Sequence, residues 1–292
     1  MTGFIQTSPV NRMGEAFGEE RMWDTPLVRF ASGADGLFKR YKMPEACGEE
    51  HWLPEEVFAK FYPEEKAPGG ALTLISWVLP QTRLTRESLC KETFYPSERW
   101  ARARILGEKI NDELRIYLVN ALGDAGYKAC APVLHPEWTR LEGVQRVYSS
   151  KWSERHVAYA AGHGTFGFCD ALITSAGKAV RLGSVIAGLK IAPDERPYQG
   201  IYDYCLHDGN GACSRCVERC SIGALDPEKG HDKVKCRAFL RGEATAYVGE
   251  HFGLDGYGCG LCQVGVPCEK GIPKRRRGRD SRLGPDGRDS SF

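Results

Sequence analysis

Residues 205–236, CLHDGNGACSRCVERCSIGALDPEKGHDKVKC, and residues 257–268, YGCGLCQVGVPC, hold eight of the twelve cysteines of this 292-residue chain. Their order is Cys205-x7-Cys213-x2-Cys216-x3-Cys220, then Cys236, then Cys259-x2-Cys262-x5-Cys268. Eight thiols drawn from one third of a chain match the ligand demand of two four-coordinate centres. The other four, Cys47, Cys90, Cys130 and Cys169, are widely separated and read as small apolar residues. Cys169 is set apart from that group because it follows a glycine-rich turn and could line a pocket there.

The rest of the composition sets the context. Hydrophobic residues make up 42% and charged residues 27%, with a net charge of +2, so no strongly charged partner is called for. The amino-terminal stretch MTGFIQTSPVNRMGEAFGEERMWD has neither an apolar secretory core nor a membrane-length apolar run. A cytoplasmic location without membrane contact is therefore expected. In a reducing compartment, clustered cysteines point to metal rather than to disulfides.

Spacing narrows the metal. Structural zinc sites favour self-contained Cys-x2-Cys pairs, whereas an x2 run followed by x3 resembles the bacterial ferredoxin pattern, whose last cysteine ligates the other cluster. Two [4Fe–4S] clusters are the expectation and two zinc sites the alternative. Resemblance to that crossed ligation assigns Cys205, Cys213, Cys216 and Cys268 to one cluster, and Cys220, Cys236, Cys259 and Cys262 to the other. The ferredoxin run usually continues with proline, whereas Ser221 and Glu269 follow here. Gly211, Gly223, Gly258, Gly260 and Gly265 are expected to let backbone amides approach the cluster sulfurs.

Upstream, helix and strand patterns alternate. ALTLISWVL, 71–79, reads as a buried strand between Pro68-Gly69-Gly70 and Pro80. Residues 97–122 place Ala103, Ile110, Leu114, Tyr117, Leu118 and Ala121 on one face of a long helix. A strand is expected at 127–134, a helix at 152–161, and a hairpin over 171–188 turning at Ser175 to Lys178. The fold class is therefore α/β or α+β. Residues 1–199 would form the larger domain, 200–272 a cluster domain with too few apolar residues to fold without metal, and 273–292 a disordered basic tail.

GHGTFG, 162–167, matches the dinucleotide fingerprint in letters but not in context. A helix is expected before it and a strand after it, the reverse of what that fingerprint requires. Gly162, Gly164 and Gly167 could instead offer a backbone surface to a large flat ligand, or simply form a tight turn.

SSKWSERHVAYAAGHGTFGFCDALITSAGKAVRLGSVIAG, 149–188, together with the eight-cysteine segment, resembles epoxyqueuosine reductases over roughly residues 70–272. The resemblance implies a nitroreductase-like cobalamin domain joined to a two-cluster ferredoxin domain, related in design to reductive dehalogenases. It also implies low-potential electrons from a ferredoxin or flavodoxin. That family places a catalytic aspartate ahead of the Glu-Arg found here as Glu154-Arg155, but the corresponding position falls on or near Tyr148, beside Ser149 and Ser150. The resemblance to the dehalogenases makes Tyr148 a candidate proton donor, since a phenol beside a cation can have a lowered pKa. A core aromatic is the plain alternative. Arg155 and His156 are candidates for a catalytic or corrin-binding role, and His163 for contact with cobalt or substrate. A surface salt bridge or an ordinary polar histidine would account for them equally.

From Glu269 onward the chain carries eight Lys or Arg against four acids, including KRRRGR at 274–279. Such a run can attract phosphates or simply be solvated. Three functions stand open at this point: a cobalamin-dependent reductase acting on a small molecule, an electron-transfer protein, and a transfer RNA modifying enzyme.

Overall fold

The computed structural model describes residues 1–18, 20–141, 148–207 and 213–274. The basic tail from 275 and Gly211 lie outside these residues. Its helices are α1 Thr2–Thr7, α2 Gly36–Tyr41, α3 Pro54–Phe61, α4 Arg83–Cys90, α5 Glu98–Asp124, α6 Glu154–Ala160, α7 Arg215–Glu218, α8 Lys233–Arg241 and α9 Glu243–Phe252. The strands are β1 Leu27–Ser32, β2 Thr73–Pro80, β3 Ala129–Cys130, β4 Arg140–Leu141, β5 Ser149–Ser150, β6 Gly164–Phe166, β7 Leu172–Thr174, β8 Val180–Ala187, β9 Leu225–Asp226 and β10 Gly230–His231. None of the described helices is long and apolar enough to cross a membrane.

The main sheet has the order β1-β2-β8-β3, and every pairing in it is antiparallel. The mixed helix and strand class is thus borne out, on its α+β side. All eight residues of β2 are buried, which explains its unbroken apolar sequence: helices cover both faces of this central strand. On one face Trp77, Leu79 and Val185 pack with Ala103, Ile110 and Leu114 of α5. On the other, Leu74 and Ile186 pack with Val157 and Ala160 of α6, and with Phe38 and Trp152. Ser97 caps α5 by accepting from the Trp100 amide at 3.4 Å, and the helix then runs 27 residues to Asp124.

Two sequence expectations are corrected. The strand expected at 127–134 is only two residues long, because Pro132 opens a short 3-10 turn at 132–134. The hairpin expected over 171–188 does not form as a pair: β7 pairs with β6, while β8 enters the main sheet between β2 and β3. The turn at 175–178 therefore links two sheets, and Lys178 stands on that link.

The cysteine segment is seated on α4 and α5. Trp100 donates from its indole to the Cys259 carbonyl at 3.0 Å, and Arg219 donates to the carbonyls of Leu89 and Glu92 at 3.1 and 2.9 Å. A side chain at Gly260 would begin 2.0 Å from the Trp100 ring, so glycine is required there for this close approach.

Candidate metal centre

Cys205, Cys213, Cys216 and Cys268 line one cavity, together with Gly167, Phe168, Lys178 and His207. Three of these thiols come from the first cysteine group and one from the far end of the second. They converge because Cys268 lies against the link before β8, where the Lys178 amide donates to the Cys268 carbonyl at 3.0 Å. His207 holds the near side through a 2.8 Å hydrogen bond between its Nδ1 and the Cys213 carbonyl.

Cys220, Cys236 and Cys259 act electrostatically on one another at a second locus, and Cys262 neighbours Cys259 there. The Ala224 amide donates to Cys220 Sγ at 3.2 Å, and the amides of Gly260 and Leu261 donate to Cys259. Backbone amides directed at sulfur favour bound thiolate over free thiol. Burial pushes Cys236 up to about 12 and raises Cys259 and Cys268. Without a cationic cluster, those three thiols would therefore stay protonated.

Among the described residues no three His, Cys, Asp or Glu side chains gather as tightly as a single ion requires. The donors instead form two sets of thiols, one facing a cavity and the other, at Cys220 and Cys259, met by backbone amides. This fits a cubane, which spreads its four ligands over separate corners.

Cys169 lies between the two groups. It is buried, and hydrogen bonds from Cys216 and Cys262, with the nearby Lys178 ammonium, hold its thiol well below the ordinary range. Cys216 and Cys262 are raised in turn, first because Cys169 is their hydrogen-bond partner and then by burial. Lys178 Nζ stands 3.3 Å from Cys169 Sγ. Burial opposes the lysine's charge, yet the surrounding thiols keep it above its usual range.

The other candidate residues fall elsewhere. Tyr148 is half-buried, with the Arg237 guanidinium 4.2 Å from its ring centre, so it stacks on α8 of the cysteine segment. Arg155 is exposed and donates to the Asp170 carbonyl at 2.5 Å. Asp170, at φ +60°, also receives His231 at 2.8 Å and Lys233 at 3.2 Å. Arg155 thus clamps the turn that carries Cys169. His156 bonds Ser153 Oγ at 2.8 Å and packs on Tyr41 and Phe166. His163 is buried and bonds the Ser76 carbonyl at 3.1 Å through Nε2; burial lowers its pKa to about 4, so the ring is neutral and Nε2–H donates.

The side-chain faces of the three glycines in the turn are packed against the protein. A side chain at Gly164 would begin 1.9 Å from the Ile173 carbonyl oxygen, one at Gly162 2.5 Å from Arg29, and one at Gly167 3.2 Å from Ile173. The protein itself occupies the space these glycines open. The helix before the turn and the strand after it match the expected order, which set aside a dinucleotide site.

Sequence reasoning missed Lys178, the Asp170–His231–Lys233 contact and Tyr257. Burial works against ionisation of the Tyr257 phenol, but Arg104 and Arg140 lower its pKa; its oxygen accepts from Arg104 at 3.1 Å. A lysine and two glycines in SAGKAVRLGS were the available sign at Lys178.

The chain is similar to several proteins named epoxyqueuosine reductase. Identity is 32% over 137 residues to epoxyqueuosine reductase of Bacillus anthracis, covering 45% of this chain and 33% of that protein. It is 30% over 131 residues to the Bacillus subtilis enzyme, covering 43% and 31%. The chain matches about a third of the length of these curated relatives. A solved structure of epoxyqueuosine reductase from Bacillus subtilis aligns with 87% of this chain and 63% of its own, at 19% identity and a TM-score of 0.45. No protein-family profile matches the chain. The resemblance read from the cysteine segment is borne out at this level.

Proposed function

We propose that this chain is a cytoplasmic iron–sulfur oxidoreductase, similar to epoxyqueuosine reductase, in which a cluster domain from about residue 200 to 272 serves a larger domain of residues 1–199. Cys205, Cys213, Cys216 and Cys268 would hold one [4Fe–4S] cluster, and Cys220, Cys236, Cys259 and Cys262 the other. The observation that carries this reading is the cavity lined by the first four thiols, which come from both ends of the segment. When bound, such clusters supply one-electron transfer at low potential. The residues of this chain hold the thiolates, direct amides at Cys220 and Cys259, and exclude water by burial.

A ferredoxin or flavodoxin is the class of donor proposed. The acceptor is a small-molecule substrate or a cobalamin, and it is not seated on the Gly162–Gly167 turn, which the protein fills. A transfer RNA is the alternative class of substrate. Tyr148, stacked under Arg237, is assigned to docking the two regions rather than to proton donation.

The test is anaerobic purification with iron and acid-labile sulfide analysis, followed by Cys220→Ala. Eight irons per chain are expected from two cubanes. The variant should lose the paramagnetic signal of the cluster bound by Cys259 and Cys262. Stoichiometric zinc, or loss confined to the signal of the Cys213 and Cys216 cluster, would overturn the assignment.

A further inference from the structure

Lys178 is only 2% exposed and lines the cavity with the four thiols Cys205, Cys213, Cys216 and Cys268. Its Nζ stands 3.3 Å from Cys169 Sγ, and its amide is tied to the Cys268 carbonyl. Among the described residues no carboxylate pairs with it; the ion pairs of the molecule lie elsewhere. Its surroundings are sulfur: Cys169 and Cys268, then Cys216 and Cys262.

A buried ammonium is costly unless anions lie beside it, and the Cys169 sulfur, 3.3 Å away, supplies one on one side. A cubane held by four thiolates is such an anion. One-electron reduction makes it more negative by one charge, and the electron comes from the donor class named above. A fixed positive charge at the cavity wall therefore favours the reduced form over the oxidised form. The backbone bond to Cys268 and the turn before β8 keep that charge from moving away when the electron arrives or leaves.

We propose that Lys178 is a positioning residue that raises the reduction potential of the cluster held by Cys205, Cys213, Cys216 and Cys268, with Cys169 seating its ammonium between the two clusters. This rests on the two-cluster reading. It makes the two clusters unequal as electron carriers, with the cavity cluster the better acceptor of the pair. Cys169, between Cys216 and Cys262, is then a supporting thiol and not a ninth ligand.

The experiment is a redox titration of the anaerobically reconstituted full chain, followed by paramagnetic resonance, for wild type, Lys178→Met and Lys178→Arg, with iron content measured on each sample. Lys178→Met should retain eight irons while the midpoint of one cluster falls. At the wild-type midpoint the ratio of reduced to oxidised cluster should drop about tenfold, equivalent to about 59 mV for a one-electron couple. The second midpoint should move much less, and Lys178→Arg should restore most of the shift. If Lys178→Met loses iron, Lys178→Gln, which keeps a donor toward Cys169 without the charge, carries the same comparison. A full complement of iron with both midpoints unchanged in the neutral variant overturns the proposal and leaves the two-cluster reading standing. Wild type without iron overturns both.

Discussion

The sheet region and the cysteine segment are built on different principles. Around β2 and β8, two apolar layers pack with α5 on one face and α6 on the other, and large side chains such as Trp77 and Trp152 are almost fully buried. The cysteine segment has only short elements, the two-residue strands β9 and β10 and the helices α7 to α9, and its small core mixes sulfur with carbon: Cys216, Cys220, Cys262 and Cys268 pack with Val217, Leu225 and Val266. A segment that buries so little carbon must draw its order from another source, either metal ligation or docking on α4 and α5. The comparison sets a region with a broad apolar core beside one with a small, cysteine-rich core.

Removing iron should separate the two regions most sharply. Chelation under reducing conditions should leave the sheet region folded while the cysteine segment becomes protease-sensitive from about residue 205. Limited proteolysis with mass analysis checks this, and equal protection of both regions after iron loss would break the comparison. The contact of Gly260 with Trp100 is expected to persist longest, because it is packing rather than ligation.

Acid should act on the sheet region. Burial lowers the pKa of both His51 and His163 to about 4 in the folded chain, against about 6.5 when unfolded. A depressed folded value means that the unfolded chain binds more protons between these two limits. The stability contributed by each histidine is therefore complete above pH 6.5 and is lost as pH falls toward 4. By pH 5 the loss should be about 2 kcal/mol per histidine. Denaturant unfolding at pH 7 and pH 5 measures it, and His163→Gln should flatten the slope. An unchanged dependence in that variant would remove His163 from the account.

A smaller and more local effect is expected from Gly164→Val. The new side chain meets the Ile173 carbonyl within the β6–β7 pair, so stability should fall by about 2–3 kcal/mol, with iron content per folded chain unaltered. Denaturant midpoints and iron analysis check both parts. A variant as stable as wild type would mean that the turn has room for a ligand after all.

Much of the organisation was legible because it depends on local pattern. Apolar runs marked β2, three-, four- and seven-residue spacing marked α5, and the cysteine intervals marked a segment able to hold two centres. The helix-then-strand order around GHGTFG was also readable, and it argues against a dinucleotide turn. The pairing of β7 was not readable, since β-strand partners are chosen by long-range packing, and the chain between residues 175 and 178 gives no sign that it crosses from one sheet to another.

The sequence by itself determined the number and grouping of thiols, the mixed helix and strand class, and the buried strand and long helix at the centre of the larger region. Only the tertiary structure decided that Cys169 lies between the two groups, that Lys178 is buried among thiols without a carboxylate, that the glycine turn is filled by Arg29 and Ile173, and that Tyr148 stacks on Arg237. The physical reason is range. Ligand spacing and amphipathic period are properties of neighbouring residues, whereas a buried charge takes its meaning from groups that fold onto it from distant parts of the chain.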